Sequence, residues 1–202
     1  MSVNLKKGDR VDLKKHTGEN LKNVMVGLGW DEVDRKKVPG GLFGLFSGHV
    51  HDVDCDASAF LCKGGKIRNN EDVIYFGNLL HKSDAVRHMG DNLTGAGEGD
   101  DEQIFINLNI LPSEYDRIIF VVNIYKADDR NQDFGMIDNA FIRICDADND
   151  NEIYKYNLSE NYSGKTAMIF GELILHDGRW KFNAIGEATN DKSIKELVKR
   201  FA

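Results

Sequence analysis

Thr166-Ala167-Met168-Ile169-Phe170-Gly171-Glu172-Leu173-Ile174-Leu175 and Arg179-Trp180-Lys181-Phe182-Asn183-Ala184-Ile185-Gly186-Glu187 flank the connection His176-Asp177-Gly178. Both flanks read as strands, and Asp-Gly is a connection that lets two antiparallel strands reverse tightly. The segment is read as a β-hairpin. Working outward from it, the same signature recurs along the chain. Asn23-Val24-Met25-Val26-Gly27-Leu28-Gly29-Trp30 is a strongly apolar strand, and further strands are predicted over about 53–62, 72–77, 102–109, 117–125, 139–145 and 152–157. Val3 to Leu13 carries a short strand pattern broken at Lys7-Gly8-Asp9, and Lys63-Gly64-Gly65-Lys66 is a turn. Many short strands joined by turns predict an all-β-dominated antiparallel sandwich or barrel, not alternating βαβ units.

One good helix stands at the tail, over about 192–201. Ser193 and Glu196 have capping-box spacing, and Ile194, Leu197, Val198 and Phe201 fall on one face. That face is expected to pack on the protein's own sheet. Pro112-Ser113-Glu114-Tyr115 is expected to form a helical turn.

The 202 residues, 41% hydrophobic, suffice for a substantial core, and one domain spanning 1–202 is expected. No run approaches the roughly 18 apolar residues of a membrane span. The opening Met1-Ser2-Val3-Asn4-Leu5-Lys6-Lys7-Gly8 lacks the apolar centre of a signal peptide, so a soluble, cytoplasmic protein is expected. The net charge of −7 and the lack of a basic stripe with interleaved aromatics argue against nucleic acid as a partner. Cys55, Cys62 and Cys145 are an odd set without framework spacing, read as reduced core thiols.

The acidic residues carry the chemistry. On a strand, Asp54, Asp56, Ser58 and Phe60 share a face, with the two aspartate Cα atoms roughly 6.5–7 Å apart. Without a cation between them such carboxylates repel, whereas Ca²⁺ accepts oxygens from both. Residues 91–102 hold Asp91, Glu98, Asp100, Asp101 and Glu102 without one Lys or Arg, and Asn92 stands beside Asp91. Gly90, Gly95, Gly97 and Gly99 let that backbone turn sharply and aim carbonyls inward. Five acids without a base favour a hard divalent cation over a merely solvated loop. If the two stretches meet, their seven carboxylates are enough for two ions.

Other motifs fail on inspection. Asp146-Ala147-Asp148-Asn149-Asp150-Asn151 begins like an EF-hand, but Asn151 replaces the required Gly and Asn157 the required Glu, so it is read as a polar hairpin turn. Ser163-Gly164-Lys165-Thr166 ends like a phosphate loop, yet a strand follows where a helix is required. His49, His51 and Cys55 lack a second pair at zinc-ligand spacing. No GxSxG, HExxH or Cys-His-Asn trio supplies a nucleophile, so no enzyme is expected.

At these residues the chain resembles the TerD family of bacterial tellurite-resistance and general-stress proteins. The similarity is carried by Gly27-Leu28-Gly29-Trp30-Asp31, Asp54-Cys55-Asp56-Ala57-Ser58-Ala59-Phe60 and Gly90-Asp91-Asn92-Leu93-Thr94-Gly95. It continues through Gly99-Asp100-Asp101-Glu102, Asn139-Ala140-Phe141-Ile142-Arg143 and Ala167-Met168-Ile169-Phe170-Gly171-Glu172-Leu173, and so spans nearly the whole chain. The resemblance implies a two-sheet calcium-binding β-sandwich, with acidic loops at one end holding two Ca²⁺ and no established enzymatic activity. It implies as metal ligands Asp54, Asp56, Asp91, Asn92, Asp100, Asp101 and Glu102, with Asp31 and Glu98 as ligand or shell. The 31–53 connection departs from the family in being longer and richer in glycine and aromatics; the tail departs in its basic helix with Lys192, Lys195, Lys199 and Arg200.

Three readings follow. The first is a calcium-binding stress protein that presents its ordered acidic end to partners, among them other tellurite-resistance or stress proteins in a membrane-associated complex. The second is a scaffold with purely structural calcium, making contacts through Leu42, Phe43, Leu45 and Phe46 or through the tail helix. The third is a divalent-metal hydrolase, which requires an open coordination position facing a cleft.

Overall fold

Asp177 and Gly178 both take positive φ, 51° and 71°, the type I′ geometry whose twist matches two antiparallel strands. The structure is a computed structural model in which residues 2–32, 53–90, 99–158 and 160–202 are described. In chain order the strands are β1 (Val3–Leu5), β2 (Arg10–Asp12), β3 (Asn23–Glu32), β4 (Cys55–Cys62), β5 (Val73–Ile74) and β6 (Val86–His88). They continue as β7 (Glu102–Asn107), β8 (Arg117–Ile124), β9 (Ile137–Asp146), β10 (Asn151–Asn157), β11 (Ala167–His176) and β12 (Arg179–Thr189). Two short helices, α1 (Ala127–Arg130) and α2 (Ile194–Lys199), accompany them.

The strands form two six-stranded sheets. The first runs β1-β10-β9-β3-β7-β6 and the second β2-β12-β11-β8-β4-β5. Alternation along each strand sends one set of side chains between the sheets. Val24, Val26 and Leu28 of β3 and Ile142 and Ile144 of β9 meet Ala57, Ala59 and Leu61 of β4 and Ile118, Phe120 and Val122 of β8. On the far side of the second sheet, Phe60, Cys62, Ile119, Val121 and Ile169 form another apolar layer, closed by Leu197 of α2. Strand β8 is therefore buried on both faces, which is why Ile118 to Val122 is an unbroken apolar run. Burying Leu197 completely contributes about 1.5–3 kcal/mol, enough to hold a helix this short against the sheet.

The tail helix thus packs on its own sheet. Ser193 Oγ accepts the Glu196 N–H at 3.3 Å, while the Glu196 carboxylate reaches back to Lys192 N–H at 2.9 Å instead of to Ser193.

Several expectations are corrected. The pairing is not purely antiparallel, because β1 lies parallel to β10, Val3 opposite Tyr154. A strand at the start of the chain has no hairpin partner to impose the antiparallel sense. The strand expected over 72–77 is only Val73–Ile74. Pro112 to Tyr115 makes a single turn, Tyr115 N–H to Pro112 O at 3.0 Å. Among the described residues no helix is long and apolar enough to cross a membrane.

Candidate metal centre

Strand register gathers the acidic residues at one end. Cys55 lies opposite Ile124 and Leu28 opposite Glu102, so the start of β4, the end of β8, the start of β7 and the end of β3 lie together. Glu102 ties the two sheets there, its Oε2 accepting the Ala57 N–H at 2.6 Å. His88 Nε2 stands 3.2 Å from the Ala57 carbonyl and 3.4 Å from Glu102 Oε2, while its Nδ1 accepts the Gly90 N–H at 3.0 Å. These bonds fit the tautomer with the proton on Nε2. Both backbone polar groups of Ala57 in β4 are therefore held by side chains of the other sheet.

Around this clamp the carboxylates differ. Asp54 is about one-third exposed and accepts from Arg130 Nη1 at 3.2 Å. Asp56 is buried on the outer face of the second sheet, opposite Asn123. Asp101 is buried and accepts the Trp30 N–H at 2.7 Å. Burial raises its pKa above the usual aspartate value, and Asp31 and Asp100 add to the rise despite the Trp30 bond. Asp31 is exposed and accepts from Asn139 Nδ2 at 2.8 Å. Burial drives the Cys55 thiol pKa well up, and Asp56, Glu102, Asp54 and Asp101 all add to it. Four carboxylates at this end thus act electrostatically on one buried sulfur.

Asp100 has a different setting. Its side chain is fully buried, held by Arg143 Nε at 2.6 Å and Nη2 at 2.8 Å and by Gln103 Nε2 at 2.9 Å. Gln103 and Arg143 flank Gly27 on the neighbouring strands, and a Cβ at Gly27 would run into the Asp100 carboxylate. The glycine makes room for an ion pair on the outer face of the first sheet. Asp91, Asn92 and Glu98 lie outside the described residues, as do Leu42, Phe43, Leu45 and Phe46.

Among the described residues, no three His, Cys, Asp or Glu side chains form a metal-binding group by themselves. The donors at this end are nevertheless carboxylate oxygens, the chemistry of a hard cation, and burial raises the pKa of Asp101 above the usual aspartate value. In these two respects the residues present fit calcium. The Asp146–Asn151 turn is the opposite case, for its cation is built in. Lys15 Nζ lies 3.1 Å from Asp146 and 2.9 Å from Asp148. Cys55, Cys62 and Cys145 are buried and free, with burial pushing Cys62 up to about 12 and Cys145 to about 11.

Sequence reasoning missed Arg143, Arg130, His88 and Asn123. Only Asn123 carried a signal, as the one polar residue inside the apolar run of β8.

The fold and site define a two-sheet β-sandwich with acidic residues gathered at one end. The TerD domain family matches residues 1–201, and the chain belongs to that family. Over 202 residues it is 47% identical to a stress response protein, SCP2, of Bacillus subtilis (strain 168), covering all of both chains. Over 188 residues it is 47% identical to tellurium resistance protein TerD of Serratia marcescens, covering 93% of this chain and 91% of the relative. A solved structure of a homologue of telluride resistance protein (TerD) from Streptomyces coelicolor A3(2) shares the fold. It has a TM-score of 0.64 at 18% identity, over 91% of this chain and 99% of that one. The protein is thus a stress-response protein of the TerD type, in a family that is not one of enzymes.

Proposed function

We propose that this protein binds two Ca²⁺ ions at its acidic end and acts as a calcium-dependent interaction module in the stress response. The observation that carries this reading is the strand register that brings the start of β4, with Asp54 and Asp56, to the same end of the sandwich as Asp101 and Glu102 at the start of β7, where burial disfavours ionisation of Asp101. Bound calcium supplies positive charge and six to eight coordination positions. Asp54, Asp56, Asp101 and Glu102 serve as first ligands, joined by Asp91, Asn92 and Glu98, with Asp31 in support. Asp100, already paired with Arg143, orients the strand entrance that carries Asp101. Two ions cancel four negative charges and turn a self-repelling end into one fixed surface.

In this reading residues 1–202 act as one unit in the cytoplasm. The ordered end is offered to other tellurite-resistance or stress proteins in a membrane-associated complex. Support for the partner class comes from relatives named for tellurium resistance and stress response.

Calorimetry of chelator-treated protein with Ca²⁺ and with Mg²⁺ tests the proposal. Two equivalents of Ca²⁺, preferred over Mg²⁺, are expected. At a hundredfold excess over Kd the gain is about 2.7 kcal/mol, or a rise of roughly 5–11 °C in Tm. Absence of both heat and thermal shift refutes it.

A further inference from the structure

Between β5, at the rim of the second sheet, and β6, at the rim of the first, residues 75–85 cross from one sheet to the other. A chain of buried side chains fastens this crossing. Ser83 Oγ lies 2.7 Å from His81 Nδ1 and accepts the Ala85 N–H at 3.3 Å, which leaves its own hydrogen for the imidazole. The Ser83 N–H also donates to Nδ1, at 3.3 Å. With Nδ1 an acceptor, the ring proton sits on Nε2 and is donated to Tyr115 Oη at 3.1 Å. The Tyr115 hydroxyl in turn donates to Asp72 Oδ1 at 2.6 Å. Asp72 and His81 are wholly buried, and Tyr115 nearly so. Asp72 stands just before β5, Tyr115 just before β8 and His81 on the approach to β6, so the chain laces the two sheets together.

Every donor in this chain points one way, from Ser83 toward Asp72. A second proton on His81 must enter at Nδ1, where it opposes the Ser83 N–H and forces the Ser83 hydroxyl to turn round. We propose that the chain is a proton-operated latch, in which proton uptake by His81 releases residues 75–85 from the sandwich. The charged groups facing His81 are Asp72, Lys63 and Lys82, the two lysines being paired with Glu114 and Glu71. Burial lowers the His81 pKa below the ordinary histidine value; Asp72 opposes the fall, and Lys82 and Lys63 add to it. A histidine lowered in this way holds the crossing shut above the free value of about 6.5, and that hold is lost as pH falls through it. Asp72, held below the usual aspartate value, stays charged across this window. The crossing carries the exposed Phe76, Leu79 and Leu80, so acidification frees an apolar segment.

Hydrogen exchange of the full-length protein at about pH 7.5 and about pH 5.5, corrected for the intrinsic rate at each, tests the latch. The amides of His81 and Asp84, bonded to Val86 O and His81 O, report the crossing. Their opening should become about 10-fold more frequent at the lower pH, as a free histidine takes the proton that the buried one refuses. Strand β8 should keep its protection. In His81→Gln the opening should be the same at both pH values. Equal protection of the wild type at both overturns the proposal, as does a pH-dependent opening that persists in His81→Gln. Imidazole NMR of the wild type decides the matter however that variant folds. His81 titrating below about 6.5 supports the latch, and titration at or above that value overturns it.

Discussion

Replacing Asp100 with alanine separates two roles that an acidic stretch could hide. The carboxylate is fully buried and receives hydrogen bonds from Arg143 Nε and Nη2 and from Gln103 Nε2 at 2.6, 2.8 and 2.9 Å. Removing one partner of a buried, hydrogen-bonded ion pair costs about 3–5 kcal/mol, because the other charge stays behind. In a domain of this size that is a loss of roughly 6–20 °C in Tm. The loss should appear equally in chelator and in calcium, since it concerns Arg143 and not a metal. Arg143→Met should cost a comparable amount. The double variant should recover at least about 1 kcal/mol relative to the two single losses, as expected for residues in direct contact. Gly27→Ala should mimic these effects, because its Cβ invades the space of the carboxylate. Thermal melting of the four proteins with and without CaCl₂ reads all of this. An Asp100→Ala protein that melts normally in chelator but loses its calcium-dependent rise would show the reasoning wrong.

Asp101 should behave oppositely. Burial and the charges of Asp31 and Asp100 raise its folded-state pKa, so its ionised form destabilises the fold above that pKa and the penalty fades as pH falls through it. Asp101→Asn should therefore raise Tm in chelator at neutral pH while shrinking the calcium-dependent rise; a lower Tm in chelator would contradict this. Burial pushes the Asp72 pKa up, but the Tyr115 hydroxyl at 2.6 Å, Lys63 and the Asn69 N–H outweigh it and hold it below the usual value. The stability it contributes is present above the unfolded aspartate pKa and is lost as pH falls through the folded one. Tyr115→Phe should cost about 1–3 kcal/mol at neutral pH and move the acid unfolding midpoint upward, a shift that circular dichroism across a pH series would detect or exclude. Lys15→Met strips the ammonium from Asp146 and Asp148, and should lower Tm equally in chelator and in calcium. A loss confined to the calcium-free protein would overturn that assignment.

What could be read from the sequence follows from where each signal is stored. The β11–β12 hairpin was readable because Asp177-Gly178 encodes its turn locally, and β8 because burial on both faces leaves an apolar run. Strand β6 was not, since Val86-Arg87-His88 is too short to show a period; its place comes from pairing with β7 and a bridge from Leu80 to Arg87. Helix α1 is bounded by Lys126 and Asn131 in left-handed conformations, which Ala-Asp-Asp-Arg does not announce. The acidic residues were readable as a set but their partners were not. Arg143 is 43 positions from Asp100, and only the sheet register sets both beside Gly27. Likewise, nothing local links Glu102 and His88 to the backbone N–H and carbonyl of Ala57.

Lys15 sets the two ends of the sandwich apart. The ammonium held by Asp146 and Asp148 is tethered by its own chain, so dilution or a chelator does not wash it away. That pole of the sandwich keeps one electrical state whatever the medium contains. On the proposed calcium reading, it is the opposite pole, with Asp54, Asp56, Asp101 and Glu102, that a solute ion would fill or vacate. On that reading, a sandwich with one tethered and one exchangeable cation would report ion concentration through a single end.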